Sequence, residues 1–167
     1  LPLIPAGPTS GAEAPGPQEA GSPQAGSEEV NSGRLWLVGG LVASSMIAIH
    51  IYQQNGWWAQ NRTSFHFQED LDYGLWVDKI GHFYGATVLS YTFQRSLEWA
   101  NVDEVPALWI GSGGALLMQT YTEIQDGFST WGFDRVDFAF DVLGAAWPVA
   151  RHYAPVLRNF DLKLSYH

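Results

Sequence analysis

The chain has 167 residues, the length of one domain, and its 8 basic and 17 acidic side chains leave a net charge of −9. This acidic balance argues against a nucleic-acid-binding protein, which normally carries a basic face. The absence of cysteine excludes disulfides, iron–sulfur clusters, thiolate zinc sites and cysteine nucleophiles within these residues. Only 15% of the residues are charged whereas 14% are aromatic, a composition more typical of a lipid boundary than of a water-soluble surface.

The first 33 residues differ in composition from the rest of the chain. They contain six prolines, six glycines and no aromatic or basic side chain. Such a tract buries too little apolar surface to offset the entropy lost on ordering. We therefore predict an extended, low-complexity N-terminal arm over residues 1–33 that binds partner subunits, followed by a helical membrane domain over residues 34–167.

A first membrane helix is predicted directly after the arm. Residues 35–52 include no Asp, Glu, Lys or Arg, and as a helix they span about 27 Å, close to the hydrocarbon thickness of a bilayer. Tryptophan is typical of the membrane–water interface. We therefore expect Trp57, Trp58 and Trp131 to be interface anchors.

Three further helices are predicted over residues 80–97, 106–122 and 136–150. They are shorter and more polar than the first, so tilted, half-inserted or re-entrant helices are compatible with them. The expected fold is all-α, a membrane helical bundle of about four transmembrane or partly inserted helices. A soluble helical bundle beside one anchor helix is the alternative. The distribution of Lys and Arg favours cytoplasmic termini.

Ionisable residues occur at helical spacing within or beside these segments. Asp78 and His82 are four residues apart, as are Asp137 and Asp141, so each pair shares a helix face. Charged groups at membrane depth are costly and face the protein interior or a watery cavity. We therefore predict one polar cluster, which comprises Asp78, Lys79, His82, Glu123, Asp126, Asp137 and Asp141.

Three roles for this cluster are compatible with its residue types. A structural network would hold the helices in register while Lys79 neutralises one or two carboxylates. Carboxylate and imidazole groups could instead bind a divalent cation, or they could form a proton relay or an acid–base site. No nucleophile elbow, P-loop, HExxH or dinucleotide-binding motif is present. We expect the structural role, no catalytic residue and no cofactor, and leave metal binding open.

Several short motifs together resemble one bacterial family of unknown function, which includes the YfiM-type predicted lipoproteins and is distantly similar to the VanZ-like membrane proteins. The motifs are Phe65-His66-Phe67, Asp78-Lys79 with Gly81-His82-Phe83, Glu123 with Asp126 to Ser129, Trp131-Gly132, and Asp137 with Asp141 and Gly144. The resemblance covers most of residues 34–167 and excludes the arm. It implies a small bacterial membrane-associated protein without an established activity.

These observations lead to two hypotheses about function. The first is a non-catalytic accessory or structural subunit of a larger complex in the bacterial inner membrane, with respiratory or photosynthetic assemblies as first guesses. Its partners would be the lipid bilayer and other membrane protein subunits, on which the helices pack. The alternative is a membrane-embedded enzyme or an ion- or proton-handling protein that uses the cluster of Asp78, His82, Glu123 and Asp126.

Overall fold

The computed structural model describes residues 29–59, 62–161 and 163, and most of the predicted arm therefore lies outside the described residues. The described part contains four α-helices and no β-strand, which confirms the all-helical fold. The helices are α1 (Ser32–Asn55), α2 (Val77–Trp99), α3 (Glu104–Gly127) and α4 (Arg135–Tyr153). Two short 3₁₀ helices, Tyr73–Trp76 and Pro155–Asn159, precede α2 and follow α4.

Side-chain caps explain where two of the helices begin. The Oδ1 atom of Asn31 accepts a hydrogen bond of 3.0 Å from the main-chain nitrogen of Arg34 at the start of α1. Asp134 accepts hydrogen bonds from the nitrogens of Val136 and Asp137 at the start of α4. Each cap satisfies main-chain donors that have no partner inside the helix.

Helices α2, α3 and α4 form the tightly packed part of the bundle. Helix α3 is antiparallel to α2, because its end lies beside the start of α2, where Glu123 is 3.6 Å from His82. Helix α4 is parallel to α2, and Thr87 donates a hydrogen bond of 3.0 Å across the interface to the carbonyl of Gly144. The starts of α2 and α4 and the end of α3 therefore meet at one end of the bundle.

A glycine sets the close approach of α2 and α4. A Cβ atom at Gly144 would overlap the main-chain carbonyl of Phe83 on α2. Close backbone contact of this kind needs a residue without a side chain. It brings the polar residues in the first turns of the two helices within reach of each other.

Helix α1 lies on the outside of the other three and contributes no buried residue. Its beginning is fixed by a 2.9 Å hydrogen bond from the nitrogen of Asn31 to the carbonyl of Ala100, just past the end of α2. Towards its other end, His50 contacts the hydroxyl of Tyr121 on α3. Helix α1 is therefore antiparallel to α2 and parallel to α3, and the four helices alternate in direction.

Among the described residues, α1 alone is both long and apolar enough to cross a membrane. Only 6% of its most apolar 18-residue window is buried, so it is not the core helix of a water-soluble domain. Helices α2 to α4 do not meet the same criterion. Within the described part of the chain, length and hydropathy thus support one membrane-spanning helix and not the expected bundle of about four.

The connection between α1 and α2 folds over the turn between α3 and α4. The nitrogen of His66 donates to the carbonyl of Gly127 and its carbonyl accepts from the nitrogen of Phe133, each at 2.9 Å. The flanking Phe65 and Phe67 pack against Phe133. This arrangement accounts for the Phe-His-Phe motif and carries the following acidic residues to the end of the bundle.

Candidate functional site

A polar cavity of about 180 Å³ lies where α2 begins, α3 ends and α4 begins. Five of the seven predicted cluster residues line it, and the other two, Lys79 and Asp141, are buried in contact with them. The lining residues are Trp57, Asp70, Asp78, His82, Glu123, Asp126, Trp131, Gly132, Asp134 and Asp137.

Lys79 is enclosed by four carboxylates, and only 1% of its side chain is exposed. Its Nζ atom lies 2.9 Å from Asp137, 3.1 Å from Asp134 and 3.5 Å from Asp78, and it also contacts Asp70. The four surrounding carboxylates favour the charged form of the amine, so Lys79 is a cation in the folded protein and not a general base.

Two of the carboxylates around Lys79 were missing from the predicted cluster. Asp134 caps α4, and its Oδ2 atom also accepts a hydrogen bond of 3.1 Å from the main-chain nitrogen of Asp70. Burial opposes ionisation of Asp134, but hydrogen bonds from Asp70 and Lys79 prevail and lower its pKa. An Asp directly before a predicted helix is a capping signal that identifies Asp134. No spacing rule identifies Asp70.

His82 lies closest to two carboxylates that Lys79 does not contact. Its Nδ1 atom is 3.1 Å from Oδ1 of Asp141 and 3.6 Å from Oε1 of Glu123. On the other side of the ring, Nε2 is 3.9 Å from an oxygen of Asp78 and from one of Asp137. The imidazole is 21% exposed, and it is therefore accessible from the cavity.

Asp141 is completely buried beneath His82. The side-chain amide of Gln119 on α3 donates a hydrogen bond of 2.7 Å to its Oδ1 atom. Its second oxygen, Oδ2, has no hydrogen-bond partner within the described part of the chain. A buried carboxylate oxygen without a donor is unusual, because buried polar atoms are nearly always paired.

Glu123 and Asp126 come from the last turns of α3. The Oε2 atom of Glu123 accepts a hydrogen bond of 3.3 Å from the nitrogen of Asp134. Asp126 accepts a hydrogen bond of 2.7 Å from the indole of Trp58.

The three expected interface anchors lie at the cavity end of the bundle, but only two of them line the cavity. Trp58 is 1% exposed and lies inside the protein against Asp126, so its position differs from that expected of an anchor in a lipid interface. Trp57 and Trp131 stack on each other with ring centroids 5.0 Å apart, and both line the cavity. The connection after α1 folds back onto α3, which explains the burial of Trp58.

The site thus has two parts with different chemistry. In the first, the charge of Lys79 is compensated by the carboxylates around it. In the second, His82 faces Asp141 and Glu123, and no Lys or Arg among the described residues lies within 4.0 Å of these two carboxylates. This second part is capable of holding protons or a cation.

The comparisons with known proteins identify a family but no activity. A family described as predicted periplasmic lipoproteins, DUF2279, matches residues 54–153, more than half of the chain and the whole of the candidate site. Most of α1 lies outside the match. No curated protein and no solved structure matches the chain. The expectation of an uncharacterised bacterial family is therefore confirmed, and the chain belongs to the DUF2279 family of predicted periplasmic lipoproteins.

Proposed function

We propose that the protein is an integral membrane protein, with all four helices in the bilayer, and a non-catalytic accessory subunit of a larger bacterial membrane complex. Respiratory and photosynthetic assemblies are the first candidates for that complex. One observation carries the proposal. Large apolar side chains lie on the outside of the bundle, and small or polar side chains lie inside it.

The interior of the bundle is poor in large apolar side chains. Among the described residues, Trp58 and Leu108 are the only large hydrophobic ones that are buried. The other buried positions hold alanine, glycine, proline, serine, threonine, glutamine or charged residues. A water-soluble domain is stabilised chiefly by burying Leu, Ile, Val and Phe. In membranes, by contrast, helices associate through small residues and interhelical hydrogen bonds.

The exterior shows the opposite composition. Trp36 on α1 is 82% exposed, Leu117 on α3 is 73% exposed and Leu143 on α4 is 57% exposed. Apolar surface of this extent is rare on a soluble monomer, and it marks contact with a membrane or a protein partner. A bilayer covers such a surface on every helix at once.

The path of α1 supports the same membrane depth for α2 and α3. The start of α1 lies beside the end of α2, because Asn31 donates a hydrogen bond to the carbonyl of Ala100. The residues that follow α1 lie beside the end of α3, where Trp58 contacts Asp126. A bilayer that surrounds α1 therefore also surrounds the two helices beside it.

The proposed orientation places the cavity on the periplasmic side of the inner membrane. Helix α1 begins and α4 ends at the end of the bundle opposite the cavity. With the cytoplasmic termini that the distribution of Lys and Arg favours, the cavity opens to the periplasm. This orientation agrees with the periplasmic location in the family description.

One face of α1 is suited to a partner helix. Val38, Val42 and Met46 point towards α2 and α3, where they line an apolar groove. On the opposite face, residues 40, 44 and 48 are Gly, Ser and Ala, all exposed. Small residues at four-residue spacing let another membrane helix approach closely. The proposed partner contacts are this face and the N-terminal arm.

The accessory role is tested by native-gel electrophoresis of bacterial membranes in mild detergent. We expect the intact chain to migrate with a large complex and a Gly40→Leu variant to migrate free of it. Gly113→Leu is the matched control, because Gly113 also lies in a helix with open space around it. Unchanged migration of Gly40→Leu, or migration of the intact chain as a monomer, contradicts the proposal.

A second candidate function is an enzyme or an ion- or proton-handling protein, and the cavity lined by Asp78, His82, Glu123 and Asp126 favours it. Asp126→Asn separates the two candidates. An accessory role predicts that its effect on cells follows the amount of assembled complex, whereas the alternative predicts loss of function with normal assembly. From the short motifs at residues 65–67, 78–83 and 123–132, we also propose that the chain is related to the YfiM-type and VanZ-like proteins.

A further inference from the structure

We infer that His82, Glu123 and Asp141 form a binding site for one divalent cation that accepts both imidazole and carboxylate ligands, such as Mn²⁺ or Zn²⁺. This inference goes beyond the accessory role, because it assigns a ligand to the inner part of the cavity. It rests on geometry, on an unpaired buried oxygen and on charge.

The spacing of the three side chains suits a metal ion. One ligand atom from each lies within 4.8 Å of the others. The Nδ1 atom of His82 is 3.1 Å from Oδ1 of Asp141 and 3.6 Å from Oε1 of Glu123. With metal–ligand bonds of about 2.1 Å, neighbouring ligand atoms lie about 3.0 Å apart in an octahedral site and about 3.4 Å apart in a tetrahedral one. Helices α2, α3 and α4 each supply one ligand.

Asp141 provides an independent indication of a missing ligand. Its side chain is completely buried, and its Oδ2 atom has no hydrogen-bond partner among the described residues. The same carboxylate contacts His82 through Oδ1, so its head group lies against the imidazole. A cation that this carboxylate binds through both of its oxygens would also provide Oδ2 with a partner. Gln119, which donates to Oδ1, would act as the outer partner that orients a metal-ligating carboxylate.

The charge of the site also favours a cation. Seven carboxylates line or adjoin the cavity, which are Asp70, Asp78, Glu123, Asp126, Asp134, Asp137 and Asp141. Lys79 lies within 4.0 Å of four of them. Among the described residues, no Lys or Arg lies within that distance of the other three. Buried carboxylates are stable only when a positive charge or a proton compensates them, and a divalent cation beside His82 would supply that charge.

The cavity has room for the ion and a route to it. Its volume of about 180 Å³ exceeds that of a single water molecule, about 30 Å³, several times over, so bound water could complete the coordination. The imidazole of His82 is partly exposed to it. A nitrogen ligand disfavours Ca²⁺ and Mg²⁺, which prefer oxygen-only sites, and favours Mn²⁺, Zn²⁺ or a similar ion.

Mn²⁺ is the probe for the test, and the full-length chain is purified in detergent and stripped with a chelator. We expect electron paramagnetic resonance to show one bound Mn²⁺ per chain, with a ¹⁴N coupling from His82 in pulsed spectra. Asp141→Asn and Glu123→Gln should each weaken Mn²⁺ binding by about tenfold or more. Asp161→Asn is the matched control, because Asp161 is an exposed partner of Arg151 away from the cavity. Its affinity should equal that of the unmodified chain.

Two results would overturn the inference. One is a dissociation constant of the unmodified chain above about 1 mM for both Mn²⁺ and Zn²⁺. The other is bound Mn²⁺ without ¹⁴N coupling, or with a coupling that persists in His82→Gln. If Asp141→Asn does not fold, the coupling in the unmodified chain and its loss in His82→Gln decide the question. Native-gel migration measures the accessory role separately, so either proposal can fail without the other.

Discussion

The Nζ atom of Lys79 lies 2.9 Å from Oδ1 of Asp137, and both side chains are almost fully excluded from solvent. This ion pair connects the first turn of α2 with the first turn of α4. The interface between the same two helices continues through Thr87 and the backbone of Gly144. A buried charge pair of this kind fixes how the two helices are placed relative to each other along their length.

Lys79→Met is expected to lower the free energy of unfolding by about 3–5 kcal/mol, because it leaves Asp134 and Asp137 buried without their cation. Arg95→Met is the control. Arg95 pairs with Glu98 on the exposed surface of α2, where an ion pair contributes at most about 1 kcal/mol. Unfolding by heat or denaturant in detergent measures both. Equal stability of the two variants would show that Lys79 does not hold the helices together.

Trp58→Phe is expected to lower the free energy of unfolding by about 1.5–3 kcal/mol, because phenylalanine fills most of the same space but cannot donate a hydrogen bond to Asp126. Trp36→Phe is the matched control, since Trp36 is exposed on α1 and should change stability by no more than about 0.5 kcal/mol. The measurement is again the free energy of unfolding. If Trp58→Phe behaved like the control, the buried hydrogen bond would contribute nothing.

Gly144→Ala should destabilise the bundle by about 1–3 kcal/mol, because the added methyl group overlaps the carbonyl of Phe83 and pushes α2 and α4 apart. Gly113→Ala provides the opposite case. No atom lies within 4 Å of its new methyl group, and alanine favours a helix by about 1 kcal/mol over glycine. We expect Gly144→Ala to lower the melting temperature and Gly113→Ala to raise it. A higher melting temperature of Gly144→Ala would contradict the close packing of α2 and α4.

Leu117→Asp tests whether the exposed surface faces lipid. Leu117 lies near the middle of α3 and is 73% exposed. In a bilayer an aspartate there costs about 2.5–3.5 kcal/mol, whereas on a water-exposed surface it changes stability by only about 0.5 kcal/mol. Val156→Asp, in the 3₁₀ helix after α4, is the control. We expect Leu117→Asp, but not the control, to lower the free energy of unfolding in lipid vesicles by about 2.5–3.5 kcal/mol. The intact chain should stay in the membrane pellet after a high-pH carbonate wash.

If Leu117→Asp unfolds like the intact chain, α3 does not face lipid and the four-helix membrane bundle is wrong. Release of the intact chain into the supernatant would exclude membrane integration altogether.

Helix positions were predictable because they depend on local composition. The long uncharged stretch after the arm predicts α1, and each of the other three apolar segments predicts a helix whose observed ends lie within five residues of the expected ones. Spacing along a helix likewise identified the pairs Asp78 with His82 and Asp137 with Asp141. Residues three or four apart share a helix face whatever the rest of the chain does.

The partners of these residues could not be predicted in the same way. Lys79 contacts Asp134 and Asp137 across more than 50 residues, Asp70 reaches the site through an irregular connection, and Trp58 is buried because that connection folds back. Such contacts depend on the register of α2 against α4, which a backbone contact at Gly144 sets. The sequence by itself determined which segments are helical and which faces carry charge. Only the tertiary structure decided which carboxylates compensate Lys79 and which remain for His82, because packing between distant segments settles that distribution.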